Sequence, residues 1–243
     1  LWELRAKGVG LLGNVAGNRR PIPFVEDTVV PPEYLAAYIQ EFRQMLDAYG
    51  LEYGMFGHVD VGCLHVRPAL DLKDEADEQL IRVITDQVKD LVLKYGGVVW
   101  GEHGKGLRGE YMPEFFGPEL YDDLRRIKQL FDPTNKLNPG KLVTPIDHSG
   151  SVKKLDDVPL RGHQDRQIPE AVRETFSVSI HCNGNGACFN WDLDEVMCPS
   201  YKFTRDRIHS PKGRAGMMRE WLRQLSHTRY DLQAEDESRG HLA

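Results

Sequence analysis

The sequence predicts an α+β fold: a ferredoxin-like antiparallel sheet with helices on one face, followed by an irregular, partly helical segment that carries most of the cysteines. Three observations predict it. Over residues 31–100 the periodicity runs helix, strand, strand, helix, strand, and residues 22–25 offer a strand in front, which is the split β-α-β order. At about residue 145 the pattern gives way to Pro, Gly, Asp and Lys with little to bury. Beyond residue 172 come Cys182, Cys188 and Cys198, within 17 residues of one another.

The first helix is expected over 31–49, because Leu35, Tyr38, Ile39, Phe42, Leu46 and Tyr49 recur at three- and four-residue steps. Pro31 and Pro32 suit its entry and Gly50 its exit. Strands are expected at 51–57 and 63–67, on either side of a turn holding Asp60 and Gly62. A second helix fits 75–95, with Leu80, Ile84, Val88, Leu91 and Tyr95 on one face. Gly96 and Gly97 end it, and Val98, Val99 and Trp100 form a short buried strand. A third helix fits 118–131 through Leu120, Leu124, Ile127 and Phe131, and stops before Asp132-Pro133. The organisation read from this is a domain over 1–144, a linker over 145–172, and the start of a further module over 173–243 with a helix near Met217 to Leu225. The polar tail after Ser226 is expected to fray.

Composition narrows the function. A net charge of -6 argues against nucleic acid, which needs a dominant basic face. No apolar run reaches the roughly 18–20 residues of a membrane span. The chain opens on Leu1 without an initiator Met, and is read as a piece of a longer polypeptide. Four cysteines in 243 residues are too sparse for a secreted disulfide framework. The expectation is a reducing, cytoplasmic compartment, with peripheral attachment at the inner membrane left open.

Two segments carry chemistry. Gly57-His58-Val59-Asp60-Val61-Gly62-Cys63-Leu64-His65 sets two histidines seven residues apart across a turn, so both imidazoles can reach one point, as a divalent metal requires. Two histidines at this spacing also describe ordinary buried or surface residues. Gly101-Glu102-His103-Gly104-Lys105-Gly106 follows the short buried strand. Glu102 can complete a His-His-carboxylate set, and His103 can serve as the acid–base group, imidazole being the side chain suited to that role near neutral pH. A flexible turn with chance charges is the plainer account. A phosphate-binding loop does not fit, since Gly106 stands where Ser or Thr should follow Lys105.

These segments, with Leu1-Trp2-Glu3-Leu4-Arg5 ahead of them and Phe131-Asp132-Pro133…Leu137-Asn138-Pro139-Gly140-Lys141 after, resemble the C-terminal domain of FAD-linked oxidases, the group of D-lactate, D-2-hydroxyglutarate and glycolate dehydrogenases. The resemblance covers roughly residues 1–142 in the family's order. It implies His58, His65 and Glu102 as ligands of zinc or manganese and His103 as catalytic base. It implies Arg5 as the grip on a substrate carboxylate, and Asn138 on a segment returning to an FAD held mostly by a domain outside this chain. Val9 and Arg67 depart from the D-2-hydroxyglutarate dehydrogenase pattern, which has Thr and Asn there. Arg67 lies two residues after His65 on a strand, so both share a face, and it is expected to bind the distal carboxylate of a diacid.

Cys182, Cys188 and Cys198-Pro199 resemble an incomplete ferredoxin ligand run, with Asn185 in the place of its second cysteine. Together with the first domain this is similar to the large bacterial fusion of an FAD-linked oxidase with an iron–sulfur region. A 4Fe-4S cluster is expected, with its remaining ligands supplied from elsewhere. The expected partners are a 2-hydroxy acid substrate, an electron acceptor, the rest of the parent polypeptide and a second copy of the chain. The competing reading is a non-catalytic electron-transfer or subunit-docking module, which would use the cysteines without the histidines.

Overall fold

One strand organises the first unit, and its alternating side chains explain why. In the computed structural model, which describes residues 17–181, 186–194 and 196–227, β4 (Cys63–Leu70) pairs antiparallel with β1 (Arg20–Pro21), β2 (Thr28–Val29) and β3 (Tyr53–His58). Thr28 lies opposite Leu64, and cross-strand partners share a face. The Tyr38 hydroxyl, from helix α1 (Leu35–Ala48), donates to Thr28 Oγ1 at 2.8 Å. The helix therefore covers the face that carries Thr28, Leu64, Val66 and Leu70. Period-two alternation sends Cys63, His65 and Arg67 to the opposite face.

Helix α2 (Glu75–Lys94) lies beside α1, tied by Gln87 to Tyr49 and by Lys94 and Tyr95 to Glu41. Tyr38, Phe42, Leu46, Ile84, Val88 and Val92 are buried almost completely between these elements. Removing one such ring, as in Phe42→Ala, is worth about 3–5 kcal/mol. Asp74 caps α2 by accepting from the Ala76 N–H, and three acids in the first turn favour the positive end of the helix dipole. Gly50 and Gly96 end α1 and α2 at φ +62° and +66°, where a side chain would be strained. An isolated antiparallel bridge joins Val29 to Val98. The spatial order is thus Val98, β2, β4, β3, the ferredoxin-like order in which each crossover skips one strand.

The structure adjusts several boundaries. The front strand expected at 22–25 is broken into β1 and β2, because Pro21 and Pro23 lack N–H donors and Asp27 turns at φ +78°. The strand expected at 98–100 shrinks to its one bridge, since Gly101 N–H then turns back to the Asp27 carbonyl. Helix α3 (Met112–Phe131) begins before residue 118, but Gly117 at φ 70°, ψ 169° kinks it there, so the predicted start at Pro118 is a real break.

Residues 145–172, read from the sequence as a linker, divide between two units. Residues 17–159 form the first, and Arg125 donating to the Ile146 carbonyl and Arg82 pairing with Asp156 tie the 145–159 stretch into it. The described residues from Leu160 onward belong to the second. It is built of short helices: α4 (Arg161–Asp165), α5 (Glu170–Thr175), α6 (Ser177–Ile180), α7 (Pro199–Thr204) and the longer α8 (Pro211–His227). Ile168, Ile180, Tyr201 and Leu222 make its small core, and buried Asp165 pairs with Arg161 and Arg219.

Candidate active site and metal centre

The sheet face away from the helices gathers the predicted residues. His58 and His65 come from β3 and β4, whose register sets Phe56 against His65 and His58 against Cys63. Gly57 is required there, because a Cβ would stand 2.1 Å from the Cys63 carbonyl oxygen. The Glu102 loop closes over these strands. His65 Nε2 lies 2.7 Å and His58 Nε2 3.2 Å from the same oxygen, Glu102 Oε1. His103 Nε2 is 3.8 Å from that oxygen. The His65 ring is held on three sides: stacked on His103 at 5.1 Å, edge-on to His58 at 5.6 Å and tilted against Phe56 at 5.1 Å.

Two residues missed by the sequence reading hold this arrangement. Asp27, fully buried, accepts the backbone N–H groups of Glu102 at 2.8 Å and His103 at 3.0 Å, and so fixes the loop that carries both. His103 Nδ1 lies 3.8 Å from its Oδ1. Gly101 lets the backbone in; a Cβ there would meet Val29, the Cys63 sulfur and Asp27. Glu26, its side chain 10% exposed, receives Arg67 Nε at 2.5 Å and Nη2 at 2.9 Å, a two-bond fork. Arg108 buttresses the same corner, donating to the carbonyls of Glu26, Val99 and Gly104. An adjacent Glu-Asp pair ahead of a helix gave no periodic signal. Only the positive φ of Asp27 and the facing Arg67 reveal its use.

Arg67 shares the His65 side of the sheet, since both reach Glu26. Its fork is closed on Glu26 through Nε and Nη2, which leaves Nη1 outside the fork. Cys63 is buried beside Asp27, with Sγ 3.8 Å from Oδ1, and burial together with that carboxylate pushes its thiol up to about 11. The donor atoms of Asp27, Cys63, His65 and Glu102 all lie within 4.8 Å of one another, as do those of Glu26, His65 and His103. The expected set of His58, His65 and Glu102 meets through the one Glu102 oxygen. Two imidazoles and a carboxylate, exposed on the Glu102 side and backed by a buried carboxylate, are a donor set suited to zinc or manganese.

Asn138 sits at φ +49° on the exposed loop after α3, outside this cluster of contacts. Asp132 fixes the start of that loop; Lys128 and the N–H groups of Lys136 and Leu137 bond its carboxylate and hold its pKa down to about 2. Arg5, Val9 and Cys182 lie outside the described residues. In the second unit Cys198 starts α7 at φ +51°, its Sγ 3.5 Å from Ser200 Oγ and 3.5 Å from Arg214 Nη2. The Ser200 hydrogen bond, then the Tyr201 N–H and Arg214, lower its thiol pKa. Cys63, Cys188 and Cys198 are all free thiols.

The fold is an α+β domain whose ferredoxin-like sheet brings two histidines and a carboxylate together on its open face. Residues 1–142 match the family model described as FAD linked oxidases, C-terminal domain, and the chain belongs to that family. It is 58% identical over 234 residues to the D-2-hydroxyglutarate dehydrogenase of Pseudomonas putida, covering 96% of this chain and 23% of the relative. It is 58% identical over 226 residues to that of Escherichia coli, covering 93% and 22%. A D-lactate dehydrogenase of Archaeoglobus fulgidus is 37% identical over 131 residues, covering 54% of this chain and 29% of that protein. The chain thus spans under a quarter of the length of the two D-2-hydroxyglutarate dehydrogenases, and its similarity to them runs on into the second unit.

Proposed function

We propose that this chain is the substrate- and metal-binding part of an FAD-dependent dehydrogenase that oxidises a D-2-hydroxy acid, 2-hydroxyglutarate before lactate, to the 2-oxo acid. The observation that carries this is the convergence of His58 and His65 on one Glu102 oxygen with His103 alongside. A divalent cation held by His58, His65 and Glu102 supplies Lewis-acid polarisation of the substrate hydroxyl and carboxylate, and FAD supplies the redox chemistry.

The chain's own residues then divide the remaining work. His103 presents Nε2 toward Glu102 Oε1 and Nδ1 toward buried Asp27. It takes the hydroxyl proton at Nε2, and Asp27 both orients the ring and stabilises the imidazolium. Arg5 grips the reacting carboxylate. Arg67, oriented by Glu26, offers Nη1 to the distal carboxylate of a diacid. Asn138 belongs to the segment nearest the flavin.

Cys182, Cys188 and Cys198 would hold part of a 4Fe-4S cluster, which would supply one-electron transfer. The lowered Cys198 thiol and its Arg214 donor suit a thiolate ligand. The electron acceptor, the rest of the polypeptide and a second copy of the chain are the partners in this reading. The three free thiols fit a reducing, cytoplasmic location, with peripheral contact at the inner membrane as the alternative placement. Among the described residues no helix is long and apolar enough to cross a membrane.

The test is a screen of D-2-hydroxyglutarate, D-lactate and glycolate on the full-length protein with an artificial acceptor, joined to metal analysis of the His58 and His65 variants. Turnover of a D-2-hydroxy acid that falls with metal content supports the reading. Metal content indifferent to both histidines ends it.

A further inference from the structure

The proposed metal reading leaves one atom unexplained. His65 Nδ1 is buried and has no hydrogen-bond partner among the described residues, while its Nε2 faces Glu102. Buried polar atoms are nearly always hydrogen-bonded, so its persistence calls for a reason. The ring cannot turn away to find another partner, because Phe56, His58 and His103 pack around it. The carboxylate it faces is Glu26, with Oε1 at 3.8 Å.

We infer that Glu26 is the positioning residue of the metal centre: it accepts the Nδ1–H of His65 when Nε2 binds the cation, and Arg67 and Arg108 hold it in place to do so. The inference rests on the metal reading above. The chemistry is forced by the ring. An imidazole that gives the Nε2 lone pair to a metal carries its proton on Nδ1, and that proton needs an acceptor in a site that is only 2% exposed. Glu26 is the acceptor in line. A shift of about 1 Å brings 3.8 Å to ordinary hydrogen-bond length.

Arg67 forks onto both oxygens of the same carboxylate, Nε on Oε2 and Nη2 on Oε1, and so holds Glu26 aimed at His65. Arg108 pins the Glu26 carbonyl, which stops the backbone from carrying the side chain away. One buried carboxylate thereby links the residue that holds the metal to the residue assigned to the distal end of the substrate. Metal occupancy and grip on a diacid are coupled through it.

The experiment uses the full-length protein, stripped with a chelator and titrated with Zn²⁺ and separately with Mn²⁺. Glu26→Ala is expected to weaken metal affinity roughly 10–100-fold, the scale of losing the outer partner of a ligand histidine. Glu26→Gln, whose carbonyl can still accept from Nδ1–H, is expected to recover most of that loss. If Glu26→Ala does not fold, Glu26→Met gives the same length without an acceptor. Affinity unchanged in Glu26→Ala but lost in His65→Ala would end the role of Glu26 while leaving the metal site standing. Equal loss in Glu26→Gln and Glu26→Ala would also overturn the inference, since that pattern belongs to a broken Arg67 pair alone. Affinity unchanged in both Glu26→Ala and His65→Ala would remove the metal reading and this inference with it.

Discussion

The two units place their reactive side chains on very different foundations. In residues 17–159 the histidines stand on paired strands, backed by two helices and by carboxylates that are themselves buried and bonded. In the described residues from 160 onward, Cys188 and Cys198 stand on short helical turns around a few buried side chains, with Asp165 and its two arginines closing the core. Large apolar side chains such as Val178, Val196 and Phe203 are about nine-tenths exposed in the second unit, so little hydrophobic surface is left to hold it. The difference teaches where order comes from. The first site is positioned by the fold before any ligand arrives, whereas a small cysteine module takes much of its folding free energy from the metal it binds.

The sharpest way to break the comparison is to remove a side chain on which only the first site depends. His65→Ala in the full-length protein should lower kcat/KM for D-2-hydroxyglutarate by more than about 100-fold, beyond the scale of losing an outer partner, with divalent metal lost and iron retained. Cys198→Ala should do the opposite, losing iron and keeping the divalent metal. Elemental analysis of both variants checks this, and loss of both metals in either one would erase the division.

Asp27 tests preorganisation itself. Its carboxylate satisfies two backbone donors of the Glu102–His103 loop, and each orphaned donor costs about 1–3 kcal/mol. Asp27→Ala should therefore destabilise the first unit by about 2–6 kcal/mol and depress kcat more than KM, because it is His103 that loses its place. Asp27→Asn should cost less, since Asn keeps one acceptor and tolerates the φ of +78°. Chemical denaturation followed through first-unit probes reads the stability, and steady-state kinetics reads the split. Equal effects of Ala and Asn would mean that the carboxylate does not hold the loop.

Arg67→Ala should lower kcat/KM for the diacid by about 1.5–3 kcal/mol, the scale of a charged hydrogen bond, and leave D-lactate nearly unchanged. Equal and small effects on both acids would assign Arg67 to Glu26 alone.

How far the sequence reached differs between the same two regions. Helices α1 and α2 were legible to within a few residues because their buried faces repeat at 3.6, and Pro31, Gly50 and Gly96 mark their ends. The convergence of His58, His65 and Glu102 was legible from a two-strand turn and a glycine-flanked loop. The front strand was not, because its pairing with β4 survives only on either side of a break that no alternation records. Glu26 and Asp27 were invisible for the same reason: their partners, Arg67 and the Glu102–His103 amides, lie 41 to 76 residues away. The short helix α4 and the start of α5 were read as linker, since five or six residues carry no period and Ile168, the deeply buried anchor, lies between the two helices.

The smallest expected effect compares two thiols, one from each unit. Cys63 sits on the sheet beside Asp27, and burial and the nearby carboxylates push its pKa up to about 11. Cys198 lies at the mouth of α7, and the Ser200 hydrogen bond, the Tyr201 N–H and Arg214 lower its pKa instead. A thiolate forms as pH rises through the pKa, so Cys198 should become reactive at lower pH than an ordinary cysteine, and Cys63 only near the alkaline end. In cluster-free protein treated with a small alkylating reagent and read by mass spectrometry, Cys198 should label at neutral pH while Cys63 stays unmodified. Ser200→Ala and Arg214→Ala should each move the Cys198 midpoint upward toward the ordinary value, since both partners favour the thiolate. The direction bears on the cluster proposed above, because a thiolate held ready would bind iron without first having to lose a proton. Cys63, kept protonated by its carboxylates, is left as a small apolar filler behind His65. Labelling of both cysteines over the same pH range would show that the two units do not differ in this respect. The separation into a protonated structural thiol and a poised ligand thiol would then have to be abandoned.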